Sequence, residues 1–104
     1  RELDASVEYT VADWQATMLH FKGACAYCGK PQGRAKSERL DKDHVVAYSM
    51  GGKTERHNII PACRKCNRGR GNQEWRAWFK RQEFYDASRE KAIEDWVAGA
   101  TKNV

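Results

Sequence analysis

The stretch CRKCNRGRGN, Cys63 to Asn72, packs two cysteines, four basic residues and two asparagines into ten positions. Its CxxC has a twin upstream at Cys25 and Cys28, with residues 29–62 between the two pairs. Paired CxxC turns are the usual means of holding structural zinc, because two thiolates from each turn complete a tetrahedron. Nothing in the chain suggests secretion, so disulfides or redox cysteines are the weaker reading. Four thiolates leave the ion no open position, so this zinc would brace the fold without catalysing. The intervening segment is longer than in the shortest zinc ribbons and has room for a β-hairpin with chemistry of its own.

The rest of the composition says why a brace is needed. A chain of 104 residues forms one domain, or one domain with helical extensions, and buries only about two-thirds of its unfolded surface. Mean hydropathy is −0.89, yet four Trp, four Tyr and three Phe supply large apolar bodies, which argues against general disorder. The net charge of +5 is unevenly spread: Cys63 to Arg81 holds seven Lys or Arg and one acid, Glu74. From Gln82 onward five acids face three bases. A basic segment beside a neutral-to-acidic tail points to a polyanion bound by one face. No stretch approaches the roughly 18 apolar residues of a membrane span, and no segment reads as a signal peptide.

Periodicity places the elements. Val11, Trp14, Met18 and Phe21 recur at helical spacing after Thr10, and Gly23 closes the run, so a helix is expected over 10–22 with this stripe in the core. ACAYCGK, Ala24 to Lys30, reads as a tight knuckle. Leu40 to Tyr48 reads as a strand, and Asn58 to Ile60 as a second short strand ended by Pro61. The second knuckle then leads into a short helix. Asn72 and Asp86 are the expected caps of two further helices within 73–100, with Trp75, Trp78 and Phe79 on one and Ile93, Trp96, Val97 and Ala100 on the other. These aromatics are expected to pack, not to stack on bases.

The segment between the knuckles carries the chemistry. A phosphodiester hydrolase needs a base near neutral pH, which histidine supplies, and a divalent cation held by hard oxygen donors. Asp43 and His44 are adjacent, Gly51 and Gly52 follow, then Asn58, and Asn67 stands just after Cys66. Arg64, Lys65, Arg68 and Arg70 are available to contact phosphates. Neighbours on a regular strand face opposite sides, so Asp43 and His44 share a site only if the strand ends, twists or bulges there.

DHVV from Asp43, GG from Gly51, NII from Asn58 and CRKCNRGRGN together resemble the HNH endonuclease family in its zinc-stapled form. They resemble especially the small standalone proteins of bacteriophages and bacteria. The resemblance runs firmly over 25–72; WRAWF from Trp75 and DWVAG from Asp95 resemble the tails of some of those proteins less specifically. It implies an α+β fold: a ββα-metal (His-Me finger) core stapled by a four-cysteine zinc site, with flanking helices. It implies His44 as general base, Asp43 and Asn67 as ligands of a catalytic divalent ion, and Asn58 as the amide that bonds the loop and keeps His44 in place. The implied function is metal-dependent DNA hydrolysis by nicking or double-strand cleavage. DNA is the implied partner, as monomer or weak dimer, with phage packaging proteins as further candidates and a bacterial or phage-infected cytoplasm as location. Two departures stand out. The third motif letter is Asn67 and not His, which favours Mg2+ or Mn2+ over imidazole-friendly metals. Ala47 and Tyr48 stand where many members have proline.

His57, beside Asn58, competes with His44 as base; His20 on the first helix is expected to be structural. A zinc-finger-like nucleic-acid-binding module would need only the cysteines and the basic segment, leaving Asp43, His44 and Asn67 coincidental. A protein-interaction zinc module is a third possibility.

Overall fold

Thr10 starts the first helix by a reciprocal cap. Its hydroxyl accepts the Asp13 N–H at 3.1 Å, and the Asp13 carboxylate accepts the Thr10 N–H at 2.9 Å. The computed structural model of the chain describes residues 9–102. Helix α1 spans Val11–His20, shorter than expected, because Lys22 turns to positive φ and the Gly23 N–H closes back on the Met18 carbonyl at 2.8 Å. Phe21 and Thr17 are buried and Trp14 and Met18 pack against the core; Val11, expected inside, is exposed.

The sheet has two strands. β1, Asp41–His44, pairs antiparallel with β2, Ile59–Ala62, in the register Asp41↔Ala62, Asp43↔Ile60 and His44↔Ile59. β1 stops four residues short of the expected end at Tyr48. Its continuation bends at 45–46 and becomes a 3-10 turn at Tyr48–Met50. The cause is Asn58, whose side-chain oxygen takes the Val46 N–H at 2.9 Å and ends the ladder. β2 continues through Pro61, contrary to expectation. The Val45 N–H bonds the Asn58 carbonyl, so by antiparallel alternation Pro61 and Lys42 form a non-bonded pair. Proline's missing donor costs no ladder bond there.

Helix α2, Arg64–Arg70, follows at once, with the Cys63 sulfur accepting the Cys66 N–H at 3.4 Å. Helix α3 is Trp75–Lys80. Its cap is Glu74, whose carboxylate accepts the Ala77 and Arg76 N–H groups at 2.8 and 3.2 Å. Asn72, the expected cap, lies too early, since Gly71 at positive φ and a Gln73 N–H bond to Arg70 still turn the chain there. Helix α4 spans Ala87–Lys102, and the Asp86 carboxylate accepts the Ser88 and Arg89 N–H groups at its start.

Helix α4 packs against the 3-10 turn Arg56–Asn58 that leads into β2 and is fixed by polar side chains. The Trp96 indole donates to the Ile59 carbonyl at 2.9 Å, His57 Nδ1 meets the Trp96 carbonyl at 2.8 Å, and His20 Nε2 meets the Ala92 carbonyl at 2.9 Å. Both histidines stack near the Trp96 ring, so His57 is a packing residue. Trp78, Phe79, Ile93 and Trp96 are buried with Tyr27, Ile60 and Ala62 in one cluster. The side chain of Ala100 lies outside the described residues.

Cys25 and Cys66 belong to that core and Cys28 and Cys63 pack against it, which brings four sulfurs together. All lie within 4.8 Å of one another, and Cys28 and Cys63 are 3.8 Å apart. A tetrahedron with metal–sulfur bonds of about 2.3 Å has edges of about 3.8 Å, so the set is positioned for a metal ion. None is in a disulfide. The first knuckle closes through Gly29 N–H to the Cys25 carbonyl, and Ala26 N–H to the Pro61 carbonyl ties it to β2. Chelation of the metal is expected to abolish the near-ultraviolet circular dichroism of the buried tryptophans. An unchanged spectrum at full metal loss would contradict that dependence.

Candidate active site

All four residues of β1 are polar, each opposite an apolar residue of β2, and their side chains are aimed by the chain's other elements. Asp43 sits opposite Ile60 and is almost completely buried. A buried carboxylate needs a partner, and Arg70 supplies it. Its Nη1 donates to Asp43 Oδ2 at 3.0 Å and to the His44 carbonyl at 2.9 Å, its Nη2 to the Val45 carbonyl, and its Nε to the Gln73 carbonyl at 2.8 Å. Burial pushes Asp43 up to about 6, against the opposing pull of the guanidinium.

This corrects one expectation. Arg70, expected to contact phosphate alongside Arg64, Lys65 and Arg68, is 2% exposed and its donors are spent inside the chain. Position 70 falls one turn after Asn67, on the same side of α2, whereas Arg64, Lys65 and Arg68 are exposed. That i, i+3 spacing was the available signal; composition hid it.

His44 ends β1 and is half-buried. Its Nε2 lies 2.9 Å from the Thr54 hydroxyl, a partner that sequence reasoning missed. Burial, and secondarily the Arg70 cation, hold its imidazole below its ordinary value of 6.5, so the neutral ring dominates at neutral pH. Because the strand stops at His44, its side chain joins that of Asp43 at one cavity. Asn58 holds the following loop: besides its bond to Val46 N–H, its amide nitrogen donates to the Val46 and Lys53 carbonyls at 3.1 and 2.9 Å. Gly52 is required there, since a Cβ would strike the Val46 carbonyl oxygen, and Gly51 takes φ 92°.

Asn67, on α2, faces the same cavity. The space holds about 290 Å3 and is lined by Lys42, Asp43, His44, Tyr48, Asn67 and Asn72. Asn67 Nδ2 donates to Asp41 Oδ2 at 3.1 Å, and its Oδ1 accepts nothing among the described residues. A carboxylate and a carboxamide oxygen are hard donors of the kind Mg2+ and Mn2+ take, so the donor set fits such an ion. A second cavity of about 720 Å3 lies beside Cys28, Cys63 and Cys66 and is lined by Lys30, Arg64, Lys65 and Arg68. These four cations form no ion pair among the described residues. Lys30 stands in the first knuckle, far along the chain from the basic run, so charge clustering in the sequence does not mark it.

Residues 25–73 match the family model described as HNH endonuclease. This segment belongs to the HNH endonuclease family. Over 77 residues the chain is 35% identical to the CRISPR-associated endonuclease Cas9 of Corynebacterium diphtheriae, covering 70% of this chain and 7% of that protein. Over 105 positions it is 25% identical to YoqL of Bacillus subtilis, a protein derived from the SPbeta prophage whose name places it among HNH endonucleases; the match covers 90% of this chain and 44% of that one. The chain thus spans less than half the length of either relative. The HNH match ends just past Asn72, so α3 and α4 lie outside it.

Arg70→Met is expected to destabilise the HNH domain by about 3–5 kcal/mol at pH 8 in urea titrations, because it strands a buried carboxylate. The raised value of Asp43 means that the folded state holds its proton more tightly than the unfolded one. Its contribution to stability is therefore present at low pH and lost as pH rises through about 6. The deficit of the variant is accordingly expected to shrink at pH 5; a deficit independent of pH would mean that Asp43 is not its source.

Proposed function

We propose that this chain is a metal-dependent endonuclease that hydrolyses DNA phosphodiester bonds. The observation that carries this is the meeting of Asp43, His44 and Asn67 at one cavity, with Asn67 on a helix, α2, whose Arg64, Lys65 and Arg68 line a second, cationic one. His44 is the general base. With Nε2–H given to the Thr54 hydroxyl, Nδ1 keeps the lone pair that takes a proton from water. Asp43 and Asn67 would hold one divalent ion, Mg2+ or Mn2+. Bound there, the ion would polarise the scissile phosphate and stabilise the departing 3′ oxygen. The products are then 5′-phosphate and 3′-hydroxyl ends. Asn58 acts at a distance, keeping the 45–53 loop and so His44 in place.

The four-cysteine set would hold zinc as a structural ion. Lys30, Arg64, Lys65 and Arg68 would bind the phosphates of the flanking DNA without reading its sequence. A single site nicks one strand at a time. The prophage-derived relative fits a bacterial or phage-infected cell as the setting. A binding-only zinc module would account for the cationic cavity but not for a buried carboxylate, a neutral histidine and an amide oxygen lining another.

Supercoiled plasmid incubated with Mg2+ or Mn2+ is expected to be nicked, and His44→Ala to cut slower by about 10²–10⁴-fold. Equal cleavage by both proteins rejects the assigned base. In a pH series at fixed, sub-saturating metal, activity is expected to fall as pH drops through about 6, where a proton competes with the ion for Asp43; with His44 held below 6.5, its protonation begins lower than for a free imidazole. A constant rate down to pH 5 would remove both groups from the mechanism.

A further inference from the structure

We infer that Asp41 is a positioning residue: its carboxylate fixes the Asn67 carboxamide so that the amide oxygen is the end presented to the ion. The inference rests on the metal site proposed above and concerns a residue that site does not include. The two ends of a carboxamide are similar in size and opposite in hydrogen-bonding sense. A ligand amide must therefore be told which way to face. An ionised carboxylate only accepts, and an amide donates only through its nitrogen, so a carboxylate beside Asn67 decides the matter.

Asp41 stands in that position. Its Oδ2 accepts Asn67 Nδ2 at 3.1 Å, across the gap between β1 and α2. Asp41 and Asp43 lie two residues apart on one strand, hence on one side of it, where α2 packs. The strand thus meets α2 with two carboxylates. Asp43 is engaged by Arg70 at the C-terminal end of the helix, and Asp41 by Asn67 one turn earlier. Asn67 lines the 290 Å3 cavity and Asp41 does not, so Asp41 stands behind the ligand, away from the reacting space. Its bond leaves Asn67 Oδ1 without any partner among the described residues. The contact also limits the rotamers of Asn67 and draws electron density toward its oxygen. Partners of this kind behind a metal ligand commonly change affinity or activity by about 10–100-fold.

The test uses the full chain with its structural metal bound, and reads Mn2+ affinity by calorimetry or electron paramagnetic resonance, alongside plasmid nicking. Asp41→Ala is expected to weaken Mn2+ binding by about tenfold. Asp41→Leu, with the same branched heavy-atom skeleton but no acceptor, is expected to match it and serves if the smaller residue perturbs folding, which far-ultraviolet circular dichroism checks. The deciding variant is Asp41→Ala made in an Asn67→Ala background, where it is expected to add no further loss. Wild-type affinity in Asp41→Ala and Asp41→Leu overturns the inference. So does an equal loss in both backgrounds, because Asp41 would then act on the ion directly or through its charge alone. Wild-type affinity in Asn67→Ala is a different failure: it removes the proposed metal site, and the inference with it.

Discussion

The buried guanidinium of Arg70 is the contact on which the site depends. It draws together the carboxylate of Asp43, the carbonyls of His44 and Val45, and the carbonyl of Gln73. Those groups belong to the end of β1, the bend after it, and the link from α2 to α3. A short strand that bends away from its partner leaves carbonyls without ladder bonds, and a buried carbonyl without a donor is costly. One planar group with five donors meets that demand. The same group charges the floor of the site, lowering the affinity of His44 for a proton while offsetting part of the burial that raises Asp43. Burial is the larger influence on both groups, and Arg70 modifies it at each while holding the strand end in place.

The cysteine set works at the other end of α2. Cys63 and Cys66 begin the helix, and Cys25 and Cys28 come from a knuckle tied to β2 by the Ala26–Pro61 bond. A metal held there fixes α2 against the sheet at its start, and Arg70 fixes it at its finish. Asn67 lies between the two anchors. A helix of seven residues has little stability alone, so its position over β1 is owed to these two clamps. The cost of ordering the Asn67 side chain is then met largely by folding.

Outside the matched HNH segment, α4 supplies what the two-stranded sheet lacks. Ile93 and Trp96 are buried in one cluster with Ile60 of β2, and the indole also bonds the Ile59 carbonyl. His20 and His57 hold two α4 carbonyls while stacking near the same ring. Two of the three histidines in the chain are thereby occupied in packing, which leaves His44 as the one placed at the cavity.

The sequence alone determined the order of the parts. Two CxxC pairs pointed to a shared ion over disulfides, because four thiolates at that spacing complete a tetrahedron. Thr10 with Asp13 marked a helix start, and the chain from Asp43 to Asn72 carried a motif set whose order could be read directly. Such features are local, so the residues that make them are also the residues that reveal them. Tertiary structure decided the rest. It alone turned Arg70 inward, paired Asp41 with Asn67, gave His44 a hydroxyl from Thr54, and brought Lys30 beside α2. It also kept Pro61 in a strand and moved a cap from Asn72 to Glu74. Each of these outcomes depends on which groups meet across distant parts of the chain, and charge or propensity at one position carries no information about who its neighbour in space will be.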